Sequence, residues 1–150
     1  PVLFHLLAQL DHIEAMVFML QREVAERLAA APDNKTYGRL TVNMQLSCNV
    51  QYLFTVPPGA FNPPPKVTSA VVVLRPRPMR PTPEVQRTLN KLLVQAFARR
   101  RKRVSNAMAG FLDAADFITL DLDPGLRPEN LAPEDYLRCA EFITGQPEST

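Results

Sequence analysis

With 150 residues, 46% of them hydrophobic, and no long low-complexity tract, the chain has material for one or two small globular domains. No apolar run approaches the ~20 residues of a membrane span, and the opening segment lacks the basic flank and small-residue cleavage site of a secretory signal. A net charge of +2 hides an asymmetry: residues 1–112 carry 15 Lys/Arg against 6 Asp/Glu, while residues 113–150 carry 2 against 9, a basic body with an acidic end that suits a polyanionic partner.

Leu3, Leu6, Leu7 and Leu10 recur at helical spacing and predict an opening helix. Met16-Val-Phe-Met-Leu20 is short and continuously apolar, which predicts a buried strand. Glu23 to Ala31 predicts a helix stopped by Pro32-Asp33-Asn34, with Glu23 and Glu26 pairing at its surface with Arg22 and Arg27. Tyr37-Gly38 opens a second amphipathic stretch, with Leu40, Met44, Ser47 and Cys48 on one side. Val50, Tyr52, Phe54 and Val56 alternate with Gln51, Leu53 and Thr55, the pattern of a strand with one dominant apolar face.

Next comes Phe61-Asn-Pro-Pro-Pro-Lys-Val67, then Ala70-Val-Val-Val-Leu74. Three successive prolines fix φ and remove backbone donors, so this is a rigid loop outside any ladder. The apolar run after it predicts a strand buried on both faces. Phe61 on such a brace either plugs a core gap or presents a flat ring to a substrate. The order helix, strand, helix, helix, strand, loop, strand is half of an open α/β sheet, which leaves an edge unpaired. More of the sheet is expected upstream, or a second copy pairing with that edge.

Nine of the fifteen prolines lie between Pro57 and Pro83, and the cluster from Pro76 to Pro83 reads as a semi-rigid linker. It divides the chain into domains at 1–80 and 81–150. Beyond it, Val85, Leu89, Leu92, Leu93, Ala96 and Phe97 follow helical spacing, and Val104, Met108, Phe111 and Leu112 suggest another helix. Pro133, Glu134 and Asp135 open a last helix closed by Gly145, with Leu137, Ala140 and Ile143 inward. The second domain is read as a small helical bundle.

Arg99-Arg-Arg-Lys-Arg103 is five consecutive cations with no acid for fourteen residues before or nine after. On a continuous helix such a run would surround the axis, so a helix junction is expected there. It is either a solvated basic patch or a set of phosphate contacts, which position a protein on nucleic acid without reading sequence. Lys66 beside the prolines is a phosphate candidate; Arg39 after Gly38 could touch RNA or cap the neighbouring surface. Asn130 and Leu131 are expected to lock the tail onto the bundle. Cys48 and Cys139 lack ligand spacing and read as reduced thiols of a cytosolic protein. His5 and His12, without a cysteine partner nearby, do not make a zinc site.

Phe61-x-Pro63-x-Pro65-x-Val67-x-Ser69, with Val71 to Leu74 behind it, resembles the late motif of the rRNA adenine dimethyltransferase family. Met19-Leu-Gln-Arg-Glu-Val24, Tyr37-Gly-Arg-Leu40 and Ala96-Phe-Ala-Arg-Arg-Arg-Lys102 leading to Asn106 agree with it. The tail Leu122-Asp-Pro-Gly-Leu-Arg-Pro-Glu-Asn-Leu131 is similar to the family's bacterial small-subunit branch. The resemblance implies the C-terminal part of a Rossmann-like methyltransferase sheet followed by a small all-helical rRNA-docking domain. It implies S-adenosylmethionine-dependent dimethylation of two adjacent adenosines near the 3′ end of small-subunit (16S) rRNA, in the cytoplasm. Phe61 would stack on the target adenine, and Arg100, Arg101 and Lys102 would face RNA, with Asn106 a structural helix residue; Arg99 and Arg103 of the same run, Lys66 and Arg39 stand beside them as RNA candidates on charge and position alone. The family's glycine-rich cofactor loop and Asn-Leu-Pro-Tyr motif do not occur in this chain, so by itself it is expected to be inactive. The other readings are a non-catalytic ribosome-binding or assembly module, and a large-subunit rRNA adenine methyltransferase.

Overall fold

The computed structural model describes residues 7–60, 62, 63 and 66–146. Part of the expected opening helix lies outside these; from Leu7 to His12 the chain forms a 3-10 helix with Leu10 buried. Strand β1 (Met16–Gln21) runs into helix α1 (Arg22–Ala29), and helix α2 (Arg39–Ser47) runs directly into β2 (Cys48–Val56). Strand β3 (Ser69–Pro76) lies between the other two, antiparallel to both, in the order β1-β3-β2. Its unbroken valine run suits the central place: Ala70, Val72 and Leu74 are fully buried against Ala25 and Leu28 of α1 and Met44 of α2.

Two strand expectations are corrected. The apolar β1 is buried on one face only: Met16 is buried, whereas Val17 and Met19 are 66% and 55% exposed. As an edge strand paired with β3 alone, it has nothing among the described residues covering its second face. In β2 the register with β3 shifts between Tyr52 and Phe54, so Tyr52 opposes Val72 and Phe54 opposes Val71. The extra residue, Leu53, reverses the alternation, and Phe54 turns to solvent instead of following Val50 and Tyr52.

The helical part begins with α3 (Pro83–Ala98), where Pro83 takes the first turn and the Thr82 hydroxyl accepts from the Val85 N–H at 3.3 Å. Short α4 (Val104–Ala107) and α5 (Ala114–Thr119) follow, the latter capped by Asp113, and then α6 (Pro133–Thr144). Leu89, Leu92, Leu93 and Ala96 of α3 bury their whole stripe against Tyr136, Cys139 and Ala140 of α6. Tyr136 and Cys139 do more of that packing than the expected Leu137 and Ile143, which are half-buried. Ala30, Tyr37, Val42 and Leu46, from before the proline linker, complete this core. Helix α2 therefore has one side in each core.

The junction is closed by buried polar bonds. The Tyr37 hydroxyl donates to the Leu131 carbonyl at 2.6 Å, and the Tyr136 hydroxyl to the Pro128 carbonyl at 2.6 Å. Asp33, in the left-handed region at φ 71°, takes the Asn130 amide on its carboxylate at 2.6 Å and donates its N–H to the Glu129 carbonyl at 2.8 Å. Asn130 and Leu131 thus hold the tail, Leu131 in the bundle core as expected, but their polar bonds run to Asp33 and Tyr37 from before the linker. Arg100 ties the same knot from a third side. Its guanidinium donates to the carbonyls of Tyr37 at 2.6 Å and Asn34 at 3.0 Å, pairs with Glu129 at 3.0 Å, and lies 5.9 Å from the Phe97 ring centroid. Phe97 itself packs between the rings of Tyr37 and Tyr136.

The knot has two consequences. Arg100→Gln removes a charge-assisted bond and leaves carbonyls without donors, so urea unfolding should show a loss of about 1–3 kcal/mol. Arg101→Gln, at an exposed position, should stay within about 0.5 kcal/mol of the parent. Burial also pushes the thiols of Cys48 and Cys139 up from 9.0 to about 11 and about 12, and moves the Tyr37 and Tyr136 hydroxyls the same way. The unfolded chain releases these protons first, so their contribution is complete below the ordinary thiol value and is lost as pH rises through the folded ones. The melting midpoint should hold up to about pH 8.5 and then fall steadily; a midpoint that rises above that pH contradicts the assignment.

Candidate nucleic-acid interface

Helix α3 stops at Ala98 because the next residues cannot continue it without turning a cation onto the buried Leu89–Leu92–Ala96 stripe. Arg99 leaves helical geometry, the Lys102 N–H returns to the Arg99 carbonyl at 2.9 Å, and Val104 starts α4. The basic run is thus the expected helix junction. Its members have separate fates. Arg99, Arg101, Lys102 and Arg103 are exposed, and Arg99 donates to the Asn106 carbonyl at 3.2 Å. Arg101, Lys102 and Arg103 have no ion pair or side-chain hydrogen bond among the described residues. Arg100 is committed inward, to the knot described above.

A cavity of about 680 Å³ opens beside this turn, lined by Ala98, Arg99, Arg100, Arg101, Lys102 and Arg127. Arg127 arrives because the Val104 N–H donates to the Leu126 carbonyl at 2.6 Å and the Ser105 N–H to the Pro124 carbonyl at 3.2 Å. Linear reading missed it: Arg127 stands in the acidic tail, and only folding brings it to the basic turn. Four carrier cations and one internal brace therefore share one concave, acid-poor surface, the arrangement that holds phosphate oxygens.

Phe61, Pro64 and Pro65 lie outside the described residues, but their anchors do not. Asn62, Pro63, Lys66 and Val67 are exposed, and the Arg22 N–H donates to the Thr68 carbonyl at 2.9 Å, fastening the loop's end to the start of α1. A depression of about 380 Å³ lies there, lined by Gln21, Arg22, Glu23, Glu26, Val67 and Thr68. Pairing of Arg22 with Glu26 and of Arg27 with Glu23, both at 3.6 Å, keeps that helix face neutral, as expected. Further along α1, Arg27 and Arg100 both approach buried Gly38, and Arg27 donates to the Thr36 carbonyl at 3.4 Å. The separation along α1 from Arg22 to Arg27 is about 7–8 Å. One short helix thus links the proline loop to the anchor of the basic turn. Arg39, exposed at the start of α2, follows Gly38 directly.

The described residues hold no reactive nucleophile in this region: Cys48 and Cys139 are buried free thiols with raised pKa values, and no group of His, Cys, Asp and Glu is gathered for a metal. Nor do they fit S-adenosylmethionine. The β1-to-α1 turn is Gln21-Arg22, with no glycine at it. The close backbone approach such a ligand needs at that turn has no counterpart here. No described helix is long and apolar enough to cross a membrane.

Comparison with known proteins bears on the family and the fold. The family model for ribosomal RNA adenine dimethylase matches residues 1–145. Ribosomal RNA small subunit methyltransferase A of Nitrosococcus oceani is 50% identical over 95% of this chain and 54% of its own length. The protein of the same name from Alcanivorax borkumensis is 48% identical over 95% of this chain and 51% of its own. Among solved structures, a dimethyladenosine transferase from Plasmodium falciparum superposes with a TM-score of 0.72 at 27% identity, covering 93% of this chain and 61% of that one. The chain spans about half the length of the curated relatives it matches. With motifs, fold and family model in accord, the chain belongs to the ribosomal RNA adenine dimethylase family.

Proposed function

We propose that this chain is the base-presenting and RNA-docking half of an enzyme that dimethylates two adjacent adenosines near the 3′ end of small-subunit rRNA. The methyl donor would be S-adenosylmethionine, held by residues outside this chain, and the work would take place in the cytoplasm on the small ribosomal subunit. The observation that carries the reading is the acid-poor concavity of Arg99, Arg101, Lys102 and Arg127, linked through α1 to Thr68 at the end of the proline loop. Relatives named for the small subunit favour that substrate over large-subunit rRNA.

The chemistry asks for positioning more than for an acid or base. The exocyclic nitrogen of adenine is a poor nucleophile, because its lone pair is delocalised into the ring, and it reacts when held in line with the donor. The base must leave its stack, and an aromatic face replaces the lost stacking, worth roughly 1–3 kcal/mol. Phe61 would supply that face; Lys66, Arg39, Arg99, Arg101, Lys102, Arg103 and Arg127 would hold the strand; Arg100 would set the turn's position. A second reading, a docking module without catalysis, is favoured by the lack of a donor-shaped site among the described residues, and for the isolated chain it is what we expect.

Phe61→Ala separates the two. In the full-length protein it should lower adenosine dimethylation roughly 10- to 100-fold while leaving small-subunit binding nearly intact; equal loss of both favours docking alone. Isolated residues 1–150 should give no calorimetric signal with S-adenosylmethionine, and micromolar binding there would overturn the division of labour.

A further inference from the structure

The RNA-docking reading, on which this inference rests, uses the basic turn; the cations before it on α3 are not yet accounted for. Arg87 and Lys91 are exposed and have no ion pair or side-chain hydrogen bond among the described residues. With Gln95 and Arg99 they occupy successive i, i+4 positions, a ridge that winds slowly round the helix. Each step advances about 6 Å along the axis, the scale on which phosphates follow one another along a nucleic-acid strand.

The surface beside this ridge is continuous. A depression at the proline linker, lined in part by Arg80, Arg87 and Asn90, meets a second one at Asn90, which is lined also by Lys91 and Val94. That second depression meets the basic cavity at Ala98 and Arg99. Arg80 at the far end pairs with Asp11. After Glu84 the helix carries no acid. The trough therefore runs the length of α3, about 24 Å, with unpaired cations along it and no acid of its own helix after the first turn.

We infer that α3 is a track for the sugar-phosphate backbone of one RNA strand, along which Arg87 and Lys91 contact successive phosphates before the strand reaches the turn at Arg99 to Arg103. This widens the docking surface from a single turn to a helix-long line. It reads no bases, so it sets register and orientation instead of sequence.

The test is a salt titration of binding by the whole chain to a short RNA hairpin, followed by fluorescence anisotropy. Each phosphate contact adds roughly 0.7–0.9 to the slope of log affinity against log salt. Arg87→Gln with Lys91→Gln should lower the slope by roughly 1.5, with circular dichroism melting unchanged since both positions are exposed. Arg101→Gln with Lys102→Gln should lower it similarly. If only the second pair lowers the slope, the track is overturned and turn-based docking stands. If neither pair does, or if phosphatidylserine vesicles are bound more tightly than the hairpin, both the track and the docking reading fail.

Discussion

The Arg100 guanidinium sits where three distant parts of the chain meet, and the placing of the basic surface depends on it. It joins the end of α3 to the carbonyls of Asn34 and Tyr37 and to Glu129 of the tail, over the ring of Phe97. A planar fork with several donors can serve such divergent acceptors; a lysine has neither the reach nor the geometry. The Tyr37 and Tyr136 hydroxyls satisfy the Leu131 and Pro128 carbonyls in the core alongside it, so the polar junction runs from buried tyrosines to a half-buried ion pair with its partners met. A network in this state rigidifies, whereas one left half-made would cost more than apolar side chains in its place.

That rigidity is what gives the neighbouring charges a use. Exposed cations bound to nothing gain little for the fold, since surface pairs contribute at most about 1 kcal/mol, and their mutual repulsion is unfavourable. Arg101, Lys102 and Arg103 persist as unpaired charges because the turn beneath them is fixed from inside. One arginine of the run is a brace; the others are the contacts we propose for RNA. The same anchor reaches Gly38 and so the far end of α1, whose near end holds the proline loop through Thr68. The basic turn and Thr68, at the loop's end, are thereby joined through one short helix.

Two helices after the linker were legible because an apolar stripe at period 3.6 and proline-first caps specify them locally, at Leu89 to Phe97 and at Pro133; the stretch expected to be helical from Val104 to Leu112 is helical only over Val104–Ala107, and Ala114–Thr119 carries no stripe that announced it. The helix junction at Arg99 followed from charge alone. The two strand errors have different causes. Alternation tells which residues share a face only while the register is regular, and Leu53 breaks it; a continuous apolar run does not tell whether anything covers the second face, as Val17 and Met19 show. Arg127 and the inward role of Arg100 were illegible for another reason. Both depend on contacts between residues far apart in sequence, and adjacent arginines look alike until folding separates them.

The central claim is that within one run of cations Arg100 positions and its neighbours touch RNA. Its most direct test is the salt dependence of RNA binding by Arg100→Gln set against that of Arg101→Gln. The account predicts that Arg100→Gln weakens binding with the slope unchanged, while Arg101→Gln lowers the slope by roughly 0.7–0.9. A slope lowered equally by Arg100→Gln would make Arg100 a phosphate contact like the rest and contradict the account.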